Sequence, residues 1–284
     1  MKILVTGYNG QLGFDVVNNG LNQGFEMIGT TREELDITDR ELVTYRINKI
    51  RPDAIIHCAA YTNVDKAEDD QVTCWDVNVN GTANLAEAAK KTNSKFMYIS
   101  SDYVFDGCGV NPHSEKNDPN PINYYGLTKF EGEKVVQSLL EDWFIVRISW
   151  VFGINGNNFI KTMIRLAERQ KEISIVTDQI GSPTYTYDLA NLLISMIQTE
   201  KYGIYHATNE GYCNWAQFAR EIFSLLNAEI KINQITSDQY PTRAIRPRNS
   251  RLSKQNLLEN NFKPLPKWEN AIKHYLNALK KEVK

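Results

Sequence analysis

The chain has 284 residues, with 32 Lys and Arg against 34 Asp and Glu and a net charge of -2. That balance supplies no global positive field, which excludes nucleic acid and an anionic membrane as the main partner while leaving local basic patches open. The length allows one large or two modest domains around an enzyme-sized core. The four cysteines, Cys58, Cys74, Cys108 and Cys213, form no CxxC pair or His/Cys cluster, which fits reduced thiols in a cytoplasmic protein.

In chain order, residues 3–5, 25–29, 54–58, 96–100 and 144–148 are short apolar runs that read as strands buried on both faces. No secretory signal is read ahead of the first. The longest apolar runs, 54–60 and 189–197, fall short of the ~18 to 20 residues that cross a bilayer. Between the strands, residues 11–19, 40–50, 72–91 and 124–140 read as helices, with Asp39 an N-cap for the second. This alternation predicts an α/β fold of the Rossmann type, a doubly wound parallel sheet joined by right-handed crossovers.

Beyond Trp150 the alternation loosens. A Gly/Asn-rich loop at 153–158 leads into a helix ending near Gln170, then a strand at 173–176, a helix at 188–198 and a strand at 203–206. A helix at 215–226, a strand at 231–235 and a last helix at 268–278 follow. Residues 188–207 look like sheet material embedded in this second part, so the expected division is discontinuous. Residues 1–152 and 177–208 would form the dinucleotide-binding domain, and 153–176 and 209–284 a smaller substrate-binding α/β part.

The first strand runs directly into Thr6-Gly7-Tyr8-Asn9-Gly10-Gln11-Leu12-Gly13, which opens the first helix, as a dinucleotide-binding turn must. Gly7 permits the tight turn, Gly10 lets backbone N–H groups approach a pyrophosphate, and Gly13 allows close helix-to-strand packing. Asn9, Gln11 and Leu12 complete that turn. After the second strand, where NAD-binding proteins carry a carboxylate for the ribose 2′-hydroxyl, stand Thr31 and Arg32. A hydroxyl and a guanidinium suit a 2′-phosphate better, which favours NADP(H). Glu33 and Glu34 follow at once, so NAD(H) and a solvated Arg32 stay open. Asp36 and Ile37 either flank the adenine or form a surface turn. Ala59, Ala60 and Tyr61 end the third strand on the ligand-binding edge, and Asn78 either braces that loop or is ordinary helix polarity.

Tyr125 and Lys129 are four residues apart on a predicted helix, hence on one face. A cation beside the phenol would favour phenolate and lower the tyrosine pKa from its usual ~10. An exposed helical pair is the alternative. Ser101 closes the fourth strand on the same edge as the glycine turn.

With TGxxGxxG, a serine after the fourth strand and YxxxK in this order, the chain resembles the extended short-chain dehydrogenase/reductase superfamily. The resemblance implies that Ser101 binds the substrate oxygen, Tyr125 transfers the proton, and Lys129 holds the nicotinamide ribose. Residues 10–13, 59–68, 101–107, 147–151 and 246–252 are similar to the dTDP-4-dehydrorhamnose reductase family over nearly the entire chain. That family implies reduction of the C4 ketone of a dTDP-linked 6-deoxyhexose, in nucleotide-sugar and cell-surface polysaccharide biosynthesis. In this reading Lys66, Ser101, Tyr103 and Trp150 face the sugar, while Asn158, Arg246 and Arg248 serve the nucleotide diphosphate. The family also raises Mg²⁺ at a homodimer contact. Asp15 matches the first such position conservatively, no further ligand can be placed, and neither the metal nor the dimer is assigned. A nucleotide-sugar epimerase, a reductase of another dTDP-4-keto-6-deoxyhexose, and a non-catalytic NADP-binding subunit, like the regulatory partner of methionine adenosyltransferase, are the alternatives.

Overall fold

A computed structural model of the chain describes residues 1–282. The first half runs β1 (Lys2–Thr6), α1 (Gln11–Asn22), β2 (Glu26–Thr30), α2 (Arg40–Ile50), β3 (Ala54–His57), α3 (Val64–Ala67), α4 (Gln71–Trp75), α5 (Gly81–Thr92), β4 (Lys95–Ser101), α6 (Tyr124–Leu139) and β5 (Trp143–Ile148). The second runs β6 (Val151–Phe152), α7 (Phe159–Ala167), β7 (Glu172–Val176), β8 (Ile180–Gly181), β9 (Thr184–Tyr185), α8 (Thr186–Ile197), β10 (Gly203–His206), β11 (Cys213–Asn214), α9 (Trp215–Leu226), β12 (Lys231–Ile235), β13 (Asn249–Ser250), α10 (Gln255–Glu259) and α11 (Trp268–Glu282).

Six strands pair in parallel in the order β10-β5-β4-β3-β1-β2. This is the Rossmann-type sheet that the βαβ alternation predicts. The pleat sends alternate side chains to opposite faces, and both faces are covered. Ile3, Val5, Ile56, Met97, Ile99, Phe144 and Val146 pack with Val16 of α1 and Leu189 and Leu193 of α8. Leu4, Ile55, Phe96, Tyr98 and Ile145 pack instead with Val43 of α2, Leu85 of α5 and Val136 of α6. A continuous apolar run is what burial on both faces demands, which is why β1, β3, β4 and β5 stand out in the sequence. β2 differs. It is an edge strand and is only partly buried, because Glu26 and the following residues have a paired neighbour on one side alone.

The stretch 72–91 forms no uniform helix. α4 and α5 are joined by a π turn at Asp76–Asn80, whose extra residue per turn shifts the helix face. That turn buries Asn78, 1% exposed, instead of leaving an amide on the surface. Asp39 does cap α2, its side chain accepting from the Leu42 N–H.

A second core gathers Phe152, Ile160, Ile173, Ile175, Tyr185, Phe218, Ile222, Ile272 and Tyr275 from β6, α7, β7, β9, α9 and α11. β7 pairs in parallel with β12, and β8 lies between β11 and β13. β10 belongs to the main sheet beside β5, and α8 packs on α1.

Gly7 ends β1 with φ +71°, a left-handed conformation that only glycine adopts cheaply. A Cβ there would stand 2.8 Å from the Ala59 backbone nitrogen. Gly7→Val should therefore lose about 2 kcal/mol or more of folding stability, read as a lower midpoint in urea unfolding. An unchanged midpoint would show that the turn relaxes.

Candidate active site

Along the carboxyl ends of β1, β3, β4 and β5 lies a cleft of about 640 Å³. Gly7, Asn9, Gly10, Gln11, Leu12 and Gly13 form one wall. α1 starts there behind Gly10, and no side chain caps it, so its first N–H groups and positive dipole end are available to an anion. The absence of side-chain bulk at Gly7 and Gly13 brings the turn close against the Ala59 loop and the helix. The shape and the donor set fit a dinucleotide pyrophosphate. Gln11 also accepts hydrogen bonds from the Gly153 N–H (2.9 Å) and the Asn158 amide (3.1 Å), which tie the turn to the second half of the chain.

Thr31, Arg32, Asp36 and Ile37 line the far end, and Ala59, Ala60 and Tyr61 the third side. The Arg32 guanidinium lies 3.4 Å from Asp36. Thr38 hydrogen-bonds and Arg32 together hold the Asp36 carboxyl below its usual range, outweighing partial burial, the largest single influence, which raises it. Asn78 stands behind this wall. Its Oδ1 accepts from the Tyr61 N–H (2.8 Å), and its Nδ2 donates to the Tyr61 carbonyl (3.2 Å) and to Thr128 Oγ1 (3.0 Å). It clamps the loop after β3 onto α6, one residue from Lys129.

Ser101, Tyr125 and Lys129 all line the same cleft. β4 delivers Ser101, whose hydroxyl donates to Asp102 Oδ1 at 3.0 Å and accepts from the Tyr103 N–H at 3.2 Å. α6 is capped by Asn123, which accepts from the Gly126 N–H, so Tyr125 falls in its first turn. The electrostatics differ from the sequence expectation. Burial, reinforced by the Asp102 charge, drives the Tyr125 phenol well above its usual range, while a hydrogen bond with Ser101 pulls the other way. Lys129 does not dominate the phenol; its Nζ lies 4.1 Å from the Tyr98 ring centroid, and burial lowers it to about 7. With these residues alone Tyr125 is a neutral phenol at physiological pH, the state of a proton donor. Cys58 on the cleft wall is pushed up to about 12 by burial and stays a thiol.

Tyr103 and Trp150 complete the opening. Trp150 is held at φ +47° and stacks on Trp215 with ring centroids 3.7 Å apart. The Tyr103 ring meets Tyr125 edge-on at 5.6 Å, and its hydroxyl accepts from Arg246 at 3.2 Å. Arg246 also pairs with Asp65 at 2.5 Å.

Arg246 and three other expected substrate residues lie outside the cleft lining. Lys66 points outward towards Asp70, 3.8 Å away, because α3 turns that face to solvent. Asn158 caps α7, and its amide is taken up by Gln11, Gly153 and Tyr275, leaving no group directed into the cleft. Arg248 pairs with Asp178 and Asp238. Asp15 is buried and accepts from the Thr186 hydroxyl. Among the described residues no group of three or more His, Cys, Asp or Glu could hold a metal ion.

Two residues went unremarked in the sequence. Asp102, beside Ser101 and 2% exposed, lines the cleft as a buried carboxyl. Its position after the serine was the available signal. Glu133 follows Lys129 by four residues, and the same helical spacing that singled out Tyr125 would have found it.

A glycine-turn cleft that a serine, a tyrosine and a lysine also line defines a Rossmann-type protein of the short-chain dehydrogenase/reductase kind. More narrowly, the chain belongs to the RmlD substrate binding domain family, whose model matches residues 1–281. It is 39% identical to a dTDP-4-dehydrorhamnose reductase of Aggregatibacter actinomycetemcomitans, over 96% of this chain and 97% of that protein. A dTDP-4-keto-6-deoxy-D-glucose reductase of Streptomyces niveus is 37% identical, over 95% and 94%. The crystal structure of dTDP-4-dehydrorhamnose reductase from Bacillus anthracis in complex with NADP superposes with a TM-score of 0.96 at 40% identity, covering 98% of this chain and all (100%) of that one.

Burial raises the Asp102 carboxyl to about 6 from an ordinary 3.8. The folded state thus holds a proton that the unfolded chain releases earlier, so Asp102 costs stability increasingly as pH rises between those values, and fully above them. Asp102→Asn should be more stable than the parent at pH 8, by up to about 3 kcal/mol, with the advantage gone below pH 4. Urea unfolding at both pH values checks this, and equal midpoints at pH 8 would contradict it.

Proposed function

We propose that the protein is an NADP(H)-dependent dTDP-4-dehydrorhamnose reductase, reducing the C4 ketone of dTDP-4-dehydro-L-rhamnose to dTDP-L-rhamnose for cell-surface polysaccharide biosynthesis. The observation that carries this reading is the placement of Ser101, Tyr125 and Lys129 in the cleft that the glycine turn lines. The near full-length relatedness to reductases of this name supports the substrate.

The glycine turn, Thr31, Arg32 and the Ala59–Ala60–Tyr61 wall would hold NADP(H), which would supply the hydride. Tyr125 gives its proton to the oxygen as negative charge develops there, and Ser101 hydrogen-bonds the same oxygen. Both bonds strengthen as charge builds, so they lower the barrier more than they tighten ground-state binding. Lys129 would hold the nicotinamide ribose and, when charged, favours the phenolate that proton transfer leaves behind. Tyr103 and Trp150 bound the sugar, and Arg246 reaches it through Tyr103. Arg32 selects a 2′-phosphate in competition with Asp36, so NADH remains a second donor.

The segments 1–152 and 177–208 bind the dinucleotide in this scheme, and 153–176 and 209–284 the substrate. A cytoplasmic setting suits the four free thiols, and no helix of the described residues is long and apolar enough to cross a membrane. The Streptomyces relative favours a second reading, reduction of dTDP-4-keto-6-deoxy-D-glucose. An intact Ser101, Tyr125 and Lys129 set weighs against a non-catalytic subunit.

Purified protein should oxidise NADPH stoichiometrically with dTDP-4-dehydro-L-rhamnose and yield dTDP-L-rhamnose, with NADH and the D-gluco ketone run in parallel. Conversion without net cofactor oxidation would make it an epimerase. Tyr125→Phe should keep NADPH binding and lose roughly 10²- to 10⁴-fold in kcat; an unchanged rate removes Tyr125 from the mechanism.

A further inference from the structure

Beneath the cleft lies a charged cluster that the reaction described so far does not use. Glu133 on α6 and Arg147 on β5 have side chains only 1% exposed. Arg147 donates Nε to Oε1 (2.8 Å) and Nη2 to Oε2 (2.6 Å), a two-bonded pairing. Ser100, the neighbour of Ser101 on β4, donates to Oε1 at 2.5 Å. The remaining Arg147 Nη1 meets His206 Nε2 at 3.4 Å, and the guanidinium carbon lies 5.1 Å from the Phe105 ring centroid. His206 Nδ1 donates to the Ser253 carbonyl at 3.0 Å, so its Nε2 is the acceptor for Arg147.

Charge is expensive in such a place, and a hydrophobic trio of similar volume would hold the layers together at least as well. Its location supplies a reason. Glu133 stands one helical turn beyond Lys129, as Lys129 stands one turn beyond Tyr125. Several titratable groups face Lys129: Glu133 from its own helix, Cys74 from α4, His57 and Cys58 from β3 and its loop, and Tyr98 from β4. Burial keeps the thiols and Tyr98 protonated and His57 neutral at neutral pH. Glu133, paired with an arginine that never loses its charge, is the anion of that set. Burial lowers Lys129, and Glu133 is the foremost influence raising it.

We propose that Glu133 is a positioning residue of the reduction. With Arg147 and Ser100 it locks the helix carrying Tyr125 and Lys129 to the strand carrying Ser101, and its carboxylate, one helical turn from Lys129, offsets part of what burial costs the ammonium. The part concerning turnover rests on the reductase reading; the part concerning Lys129 does not.

Glu133→Gln alone strands the Arg147 charge in the core and invites misfolding, so the deciding variant is Glu133→Gln with Arg147→Met, which removes both charges. Two readouts are taken on folded protein. The first is the Lys129 titration followed by ¹³C NMR of the lysine ε-carbons, assigned with Lys129→Arg. Its midpoint should fall by about one pH unit or more relative to the parent. The second is the pH profile of kcat, whose alkaline limb should move down by the same amount. Ser100→Ala, which loosens the tie and spares the charge, should lower kcat and leave that limb in place. A purely structural role would depress kcat evenly at every pH. An unshifted Lys129 midpoint in the double variant overturns the proposal. Should the parent fail to reduce the ketone, the reductase reading falls, while the NMR titration still decides whether Glu133 supports the Lys129 ammonium.

Discussion

Because β1, β3, β4 and β5 pair in parallel, their carboxyl ends finish on one edge, and the chain must leave each of them there. Everything the cleft offers follows from that constraint. The glycine turn leaves β1, the Ala59 loop leaves β3, Ser101 ends β4, and Trp150 follows β5. None of these residues is near another in sequence. The return helices supply the rest, and α6 crosses back with its first turns over the same edge, which brings Tyr125 and Lys129 to Ser101. Open α/β sheets bind ligands where the chain's direction of travel reverses, here between β1 and β3, and Gly7 meets Ala59 at that point.

Burial then decides the chemistry of the groups so assembled. Removing water penalises whichever form carries charge. It keeps Tyr125 a phenol, loosens the proton on Lys129 and holds one on Asp102 into the mildly acidic range. The protein meets that penalty differently at Glu133 and Arg147, whose charges are retained by mutual hydrogen bonds with Ser100 and His206 in support. Neutral groups at the cleft and an ion pair behind it make one arrangement, in which the phenol is kept protonated and a carboxylate one helical turn from Lys129 opposes the effect of burial on it.

Much of this was legible in the chain. The double-faced strands announce themselves as unbroken apolar runs, and the spacing of Gly7, Gly10 and Gly13 carries its meaning because it stands between a strand and a helix. Ser101, Tyr125 and Lys129 needed only their order. The edge strand β2 was harder, since an apolar run does not say how many neighbours it has. The π turn at Asp76–Asn80 was invisible because one extra residue per turn leaves the apolar pattern nearly intact. Lys66, Asn158 and Arg248 show the limit of reading roles from residue type. An amide or a cation suits a ligand, but the same atoms satisfy a helix cap or a carboxylate, and only the folded neighbours choose.

Local spacing and apolar runs were enough to read the sheet, the dinucleotide turn and the order in which Ser101, Tyr125 and Lys129 reach one cleft, because each depends on neighbours in the chain. Tertiary structure alone decided the sign of the tyrosine shift, the burial of Asp102 and the bond between Glu133 and Arg147. Those depend on distance and dielectric between residues far apart in the chain. Four-residue spacing places Lys129 near Tyr125; burial and the Tyr98 ring determine what that nearness does.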